Sequence, residues 1–100
     1  MPTGNATPSR FLAEWYTPHL RSRAINDIAA HLQHWLDAIP DQHRRPQLMY
    51  AVEIPEDAYA FGVFAADSAD LVLQACQDAG LPASRVSAAI EATLTDTTSD

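Results

Sequence analysis

Residues 48–65 read LMYAVEIPEDAYAFGVFA, and this stretch decides the fold. Two apolar runs, 48–54 and 59–65, flank the turn sequence PEDA. The first run places every second side chain on one face of a strand: Leu48, Tyr50, Val52 and Ile54. Because aromatic and β-branched residues dominate both runs, the stretch predicts a β-hairpin.

A strand and a helix are predicted upstream of this hairpin. Residues 10–17 contain three aromatic side chains and favour a strand, which Pro18 then ends. Ser22 is a suitable N-cap, and apolar residues recur at helical spacing from there to about Ile39. Pro40 prevents the helix from continuing.

A helix and a strand are predicted downstream of the hairpin. Asp67 or Ser68 caps a helix whose apolar stripe stops before Gly80, and residues 86–94 supply a last strand. The order β-α-β-β-α-β predicts a ferredoxin-like α+β fold. In such a fold a four-stranded antiparallel sheet carries two helices on one face.

One hundred residues are enough for one small domain with its own core. We expect this domain over residues 10–94. Residues 1–9 contain proline and glycine and predict an irregular leader, whereas residues 95–100 are polar and predict a frayed tail.

Charge and composition exclude several classes of partner. The chain has 13 acidic and 6 basic residues, a net charge of -7. A negative surface repels phosphate groups, so we expect no nucleic-acid or membrane partner. Cys76 is the single cysteine, which excludes an intrachain disulfide and a multi-cysteine zinc site. The leader lacks an apolar signal region and no stretch approaches the ~18 apolar residues of a membrane span, so a cytoplasmic location is expected.

Two helices cover only one face of a four-stranded sheet, so the second face needs a partner. We expect the helix side to carry Phe11, Ala13, Trp15, Val63 and Ile90. We expect the opposite side to carry Leu12, Glu14, Tyr16, Met49, Ala51, Glu53, Ala60, Gly62, Phe64, Ala89 and Glu91. Because this second set is too apolar to stay in water, a homodimer that closes an α+β barrel around a cavity is predicted.

Short motifs along the chain resemble those of a known protein family. They are PED at 55–57, F-x-x-F-x-A at 61–66, AGLP at 79–82 and V-x-x-A-I-E at 86–91. The opening FLAEWYTP, residues 11–18, is similar to the first strand of that family, including its Glu14. Over roughly residues 10–92 the chain resembles the small ferredoxin-like nickel-responsive, nickel-binding proteins of actinobacteria.

The resemblance implies a homodimeric α+β barrel that binds a divalent metal such as nickel. It also implies that the metal ligands are altered or lost in this chain. Tyr50 stands where the family often has a histidine, and Ala60 and Gly62 stand where it often has cysteines. Imidazole and thiolate are good nickel ligands, whereas alanine and glycine supply no donor atom.

One candidate metal site lies on the first predicted helix. Asp27, His31 and His34 are spaced i, i+4 and i+7, so they share one helical face and could reach one ion. That face lies opposite the apolar stripe of the helix. The alternative is a solvated surface, in which Asp27 and His31 form an ordinary helical pair.

A second candidate site lies on the predicted cavity side of the sheet. Glu14, Glu53 and Glu91 are expected there, and a buried carboxylate needs a cation, a proton or a hydrogen-bonding partner. The three could bind a hard cation or act as general acid and base. Alternatively they form a rim that pairs with arginines or contacts water. Tyr50 is either a group in the pocket or a core aromatic.

Three functions therefore remain open. The first is a small homodimeric binding protein of the nickel-binding type, with a metal ion or small molecule as ligand. The second is a dimeric barrel enzyme, similar to small monooxygenases or isomerases, in which Glu14, Tyr50 or Glu91 acts on an organic substrate. The third is a structural or regulatory dimer. Nucleotide-binding motifs are lacking from the sequence.

Overall fold

The computed structural model describes residues 9–90 and residue 92, and it confirms the predicted order of elements. The elements are β1 (Ser9–Tyr16), α1 (Ile25–Asp37), β2 (Gln47–Ile54), β3 (Tyr59–Ala66), α2 (Ala69–Asp78) and β4 (Arg85–Ala89). All paired strands are antiparallel, in the sheet order β2-β3-β1-β4. This is the ferredoxin-like α+β arrangement. Within the described residues, neither helix is long and apolar enough to cross a membrane.

The two helices begin in different ways. The predicted cap of α1 at Ser22 is wrong, because Ser22 has a positive φ of 53° and the helix starts only after Ala24. The predicted cap of α2 at Ser68 is confirmed, since its hydroxyl oxygen accepts a hydrogen bond of 3.4 Å from the backbone N–H of Leu71. Gly80, with φ 75°, ends α2 as predicted.

The core is built around Trp15 of β1. Its side chain is fully buried, and its Nε1 donates a 2.8 Å hydrogen bond to the backbone oxygen of Leu81. The ring packs edge-on against Phe64, with 6.5 Å between the ring centroids. Ala60 of β3 lies directly opposite Trp15. Gly62 lies two residues further along β3, opposite Ala13, on the same face of the sheet. These small residues leave the volume that the indole fills.

Gly62→Ala is expected to lower the free energy of unfolding by about 1–3 kcal/mol, the usual effect of overpacking a core. An added Cβ would lie 3.0 Å from Cη2 of Trp15 and 3.2 Å from Cε1 of Phe64. Urea denaturation followed by circular dichroism measures the change. The control combines Gly62→Ala with Trp15→Phe, which shortens the side chain in contact. The double variant should be less destabilised than the sum of the two single variants, and additive effects would contradict the proposed contact.

The predicted faces of β3 are wrong. Ala60, Gly62 and Phe64 are buried beneath the helices, whereas Val63 lies on the uncovered side. The physical reason is that residues 59–66 are apolar at both odd and even positions. Alternation therefore could not choose the buried face, and a shift of one residue reverses every side chain.

The predicted face of part of β2 is wrong for the same reason. Ala51 pairs with Gly62 and Glu53 pairs with Ala60, so both lie on the helix side of the sheet. Tyr50 lies on the uncovered side. The faces of β1 are confirmed, with Phe11, Ala13 and Trp15 buried beneath the helices. Ile90, predicted on the helix side, is fully exposed just after β4.

β2 and β4 are the two edge strands of the sheet. Pro46 immediately precedes β2, and Pro55 immediately follows it. The pairing of β2 with β3 is also irregular, because its register shifts between Leu48 and Tyr50. Such a shift is a β-bulge, which bends a strand and changes the direction of its side chains.

Candidate functional site

One side of the sheet is left uncovered by the helices within the described residues. We call it the open face. Its side chains follow from the strand register, since directly paired residues point to the same side. They are Arg10, Leu12, Glu14 and Tyr16 of β1, Tyr50, Val52 and Ile54 of β2, Tyr59, Phe61 and Val63 of β3, and Arg85, Ser87 and Ala89 of β4.

The outer part of the open face exposes large apolar side chains. Tyr50 is 59% exposed, Val52 45% and Ile54 41%. They stand beside the half-buried side chains of Phe61 and Val63 on the next strand. A continuous apolar surface of this kind is rare on a monomeric soluble protein and usually marks a binding surface.

Aromatic rings form a row at one end of the open face. The centroids of Tyr16 and Tyr59 are 5.5 Å apart, and those of Tyr59 and Phe61 are 6.2 Å apart in a stacked arrangement. His19 packs edge-on against Tyr16 at 4.9 Å. His19 therefore caps the aromatic row. Rings packed against one another in this way form one aromatic surface.

Glu14 is the carboxylate that the sequence offers both to a hard-cation site and to acid–base chemistry. It lies on the open face, as predicted. Its Oε2 is 3.7 Å from Nε of Arg85, which is paired with it across β1 and β4. The same guanidinium nitrogen donates a 3.1 Å hydrogen bond to the hydroxyl of Ser87. Glu14 is thus an ion-paired carboxylate, which agrees with the arginine-paired alternative from the sequence.

A depression of about 400 Å³ opens on this side of the sheet. Its wall is formed by Arg10, Met49, Tyr50, Val63, Ala89, Ile90 and Ala92. The bulge in β2 places Met49 and Tyr50 side by side at its edge. Tyr50 contributes a hydroxyl group that can donate or accept a hydrogen bond, and Arg10 contributes a guanidinium group, whereas the other walls are apolar. This combination suits a small organic molecule with an apolar body and a polar group.

The predicted group of carboxylates is not brought together. Glu53 lies on the helix side of the sheet, opposite Ala60, whereas Glu14 lies on the open face. Glu91 lies outside the described residues. Of the groups assigned to the cavity, Glu14 and Tyr50 therefore share one face. No general acid and base pair is formed by Glu14 and Glu53.

The histidines of α1 differ in environment. His31 was expected on the solvated face, but it is half-buried, and its Nε2 donates a 2.7 Å hydrogen bond to the backbone oxygen of Ala79. His31 thus joins α1 to the end of α2. Asp27 and His34 are exposed. Across residues 9–90 and 92, no three histidine, cysteine or acidic side chains converge on a point suited to a metal ion.

Sequence reasoning missed several residues that shape the open face. Arg85 was not singled out, although its place opposite Glu14 follows directly from the strand register. Met49 was placed on the correct side, but its role at the edge of the depression depends on the bulge. A bulge leaves little trace in a sequence, because its extra residue resembles any other strand residue.

Comparison of the chain with protein-family profiles, with curated proteins and with solved structures gives no match in any of the three.

Proposed function

We propose that the protein is a homodimeric binding protein that holds a small organic molecule between two open faces. The observation that carries this proposal is the exposed apolar surface of Tyr50, Val52 and Ile54 beside the 400 Å³ depression. A second copy would cover the apolar surface and, in the same step, close the mouth of the depression. The open face therefore supports both the dimer and the cavity.

The size of the open face supports a second copy as its partner. Three strands of eight residues and one of five, about 4.8 Å apart, present roughly 450 Å² in projection. The accessible area of protruding side chains is larger, which approaches the ~800 Å² per partner of a stable interface.

The donor atoms of the open face do not fit a nickel site of the kind that the resemblance implies. Its described donors near the depression are the phenol of Tyr50 and the thioether of Met49. Glu14 is engaged by Arg85. None of these is an imidazole or a thiolate, the ligands that nickel prefers. A small organic molecule is therefore the better ligand.

Val52→Asp is expected to convert the dimer to a monomer, because it places a charge among the exposed apolar side chains that the second copy would cover. Light scattering after gel filtration should give about 21.8 kDa for the unchanged protein, twice the chain mass of 10.9 kDa. The variant should elute as a single chain. Leu73→Asp is the matched control: Leu73 is 41% exposed, close to the 45% of Val52, but it lies on α2. The control should remain dimeric.

A monomeric unchanged protein, or equal dissociation of both variants, would contradict the dimer. Native mass spectrometry tests the ligand separately. We expect the dimer to retain a small molecule. Ala89→Leu narrows the depression, so this variant should lose the small molecule and remain dimeric. If neither the unchanged dimer nor the Ala89→Leu dimer carries a small molecule, the binding function is contradicted, whereas the proposed dimer interface is not.

A further inference from the structure

A second cavity lies between the two helices, on the side of the sheet away from the open face. Its volume is about 470 Å³, and we call it the helix cleft. Its walls are Trp35, Ala38, Ile39, Pro40, Ala75 and Asp78. The cleft shares no residue with the open face. Its occupation is therefore independent of the proposed dimer and its ligand.

Trp35 is the most unusual residue of the helix cleft. The chain has two tryptophans, and the other, Trp15, is fully buried in the core. Trp35 is 43% exposed, and the accessible part of its ring lines the cleft. The ring also contacts His31, with 6.5 Å between centroids, on the preceding turn of α1. An indole is the best aromatic surface for a cation, because its face carries negative electrostatic potential.

Asp78 is the single ionisable side chain among the six walls of the helix cleft. Its Oδ1 accepts a 2.8 Å hydrogen bond from Nε2 of Gln74, a neutral partner that fixes the carboxylate and leaves its charge. No ion pair joins Asp78 to any residue in the described part of the chain. The cleft thus combines an accessible indole with a carboxylate that forms no ion pair within residues 9–90 and 92. Arg44 lines an adjacent depression together with Asp78 and is a competing positive charge.

The surroundings of the helix cleft add to this negative potential. The last turns of α1 and α2 both border it, and the C-terminal end of a helix carries partial negative charge. Arg45 opposes this effect, because its guanidinium donates hydrogen bonds to the backbone oxygen of Ile39. Ile39 lies just beyond α1, and its neutral carbonyl leaves the positive charge of Arg45 in place, so this residue partly offsets the negative potential. The net charge of -7 further attracts cations to the molecule.

We propose that the helix cleft binds a small organic cation with an apolar body, of the quaternary or tertiary ammonium class. The ammonium group lies against the face of Trp35 and near the carboxylate of Asp78, and the alkyl groups contact Ile39, Pro40 and Ala75. A quaternary ammonium suits this arrangement because it needs no hydrogen-bond acceptors, and the walls are mainly apolar.

The probe for this site is choline chloride, titrated into the full-length, uniformly ¹⁵N-labelled protein at constant ionic strength. The indole N–H signals of the two tryptophans are distinct, so that of Trp35 reports on the helix cleft and that of Trp15 reports on the core. The Trp35 signal should shift and saturate, while the Trp15 signal, held by Leu81, should stay in place. The neutral analogue 3,3-dimethylbutan-1-ol has the same shape and should bind at least about fivefold more weakly.

Two aspartate variants test whether the negative charge of Asp78 contributes to choline binding. Asp78→Asn should weaken choline binding at least about fivefold, because it removes the facing negative charge. Asp70→Asn, at the other end of α2, removes one negative charge just as Asp78→Asn does, and it should leave choline binding unchanged. An unmoved Trp15 signal in each variant shows that the core is native. Equal binding of choline and its neutral analogue, or equal effects of the two variants, would overturn the proposal.

Discussion

Trp15→Ala is expected to lower the free energy of unfolding by about 3–5 kcal/mol, the typical effect of truncating a buried tryptophan. The side chain is fully buried between the sheet and the helices. Its removal leaves a large cavity and also deprives the backbone oxygen of Leu81 of its 2.8 Å hydrogen bond. Since small domains are stable by about 5–15 kcal/mol, this single change removes a large share of the total.

Trp35→Ala is the matched control for this prediction. It makes the same chemical change at a side chain that is 43% exposed, so less than about 1 kcal/mol should be lost. Urea denaturation should be followed by circular dichroism, because both variants remove a fluorophore. Equal destabilisation by the two variants would show that Trp15 does not organise the core.

Cys76 is expected to be alkylated by iodoacetamide about 1000-fold more slowly in the native protein than in urea, at a pH of about 8. Burial raises the pKa of its thiol from 9.0 to about 12, because the charged thiolate is poorly solvated in the core. The thiolate is the reactive form, and each unit of pKa lowers its population tenfold. Native and unfolded rates within about tenfold of each other would contradict this expectation.

The same pKa shift makes stability depend on pH in the alkaline range. The unfolded thiol ionises above about pH 9, whereas the native thiol stays protonated until about pH 12. The unfolded state therefore binds fewer protons, and the free energy of unfolding falls by up to about 1.4 kcal/mol per pH unit in that interval. Cys76→Ala should lack this contribution. The difference between the two pH profiles isolates it from other titrating groups.

The order of elements could be predicted because the residues that end each helix and strand act locally. Pro18, Pro40 and Gly80 end elements for reasons that depend on their own backbone geometry. The hairpin also follows from a local pattern, two apolar runs around PEDA. The start of α1 was missed, because a left-handed conformation at Ser22 is unusual for that residue type and comes from the turn around it.

The faces of the strands could be predicted only where the sequence is asymmetric. In β1, Glu14 stands between apolar neighbours and identifies the side that remains uncovered. In β3 no residue does this, since Phe61 and Phe64 are equally apolar and lie on opposite sides. The decisive factor was the volume of Trp15, which requires small neighbours across the strand pair. Volume complementarity between distant segments is not visible in a periodic pattern.

The candidate sites could also be predicted only in part, because sequence spacing describes one element at a time. The spacing of Asp27, His31 and His34 correctly describes one helix, but the hydrogen bond from His31 to Ala79 depends on where a second helix packs. The helix cleft likewise joins residues about 40 positions apart, Trp35 and Asp78. Sites formed between elements need the tertiary arrangement, which local spacing does not contain.

The ends and the bulge of edge strand β2 determine what kind of assembly this sheet can form. An unprotected edge invites a further strand to add along it, and repetition of that step leads to fibrils. Pro46 and Pro55 offer no N–H group for such pairing, and the register shift at Leu48 and Tyr50 bends the edge. Growth from the edge is thereby hindered, while the broad apolar face stays free. The dimer that we propose is a closed pair, which stops at two copies and keeps the apolar surface from becoming a route to amyloid.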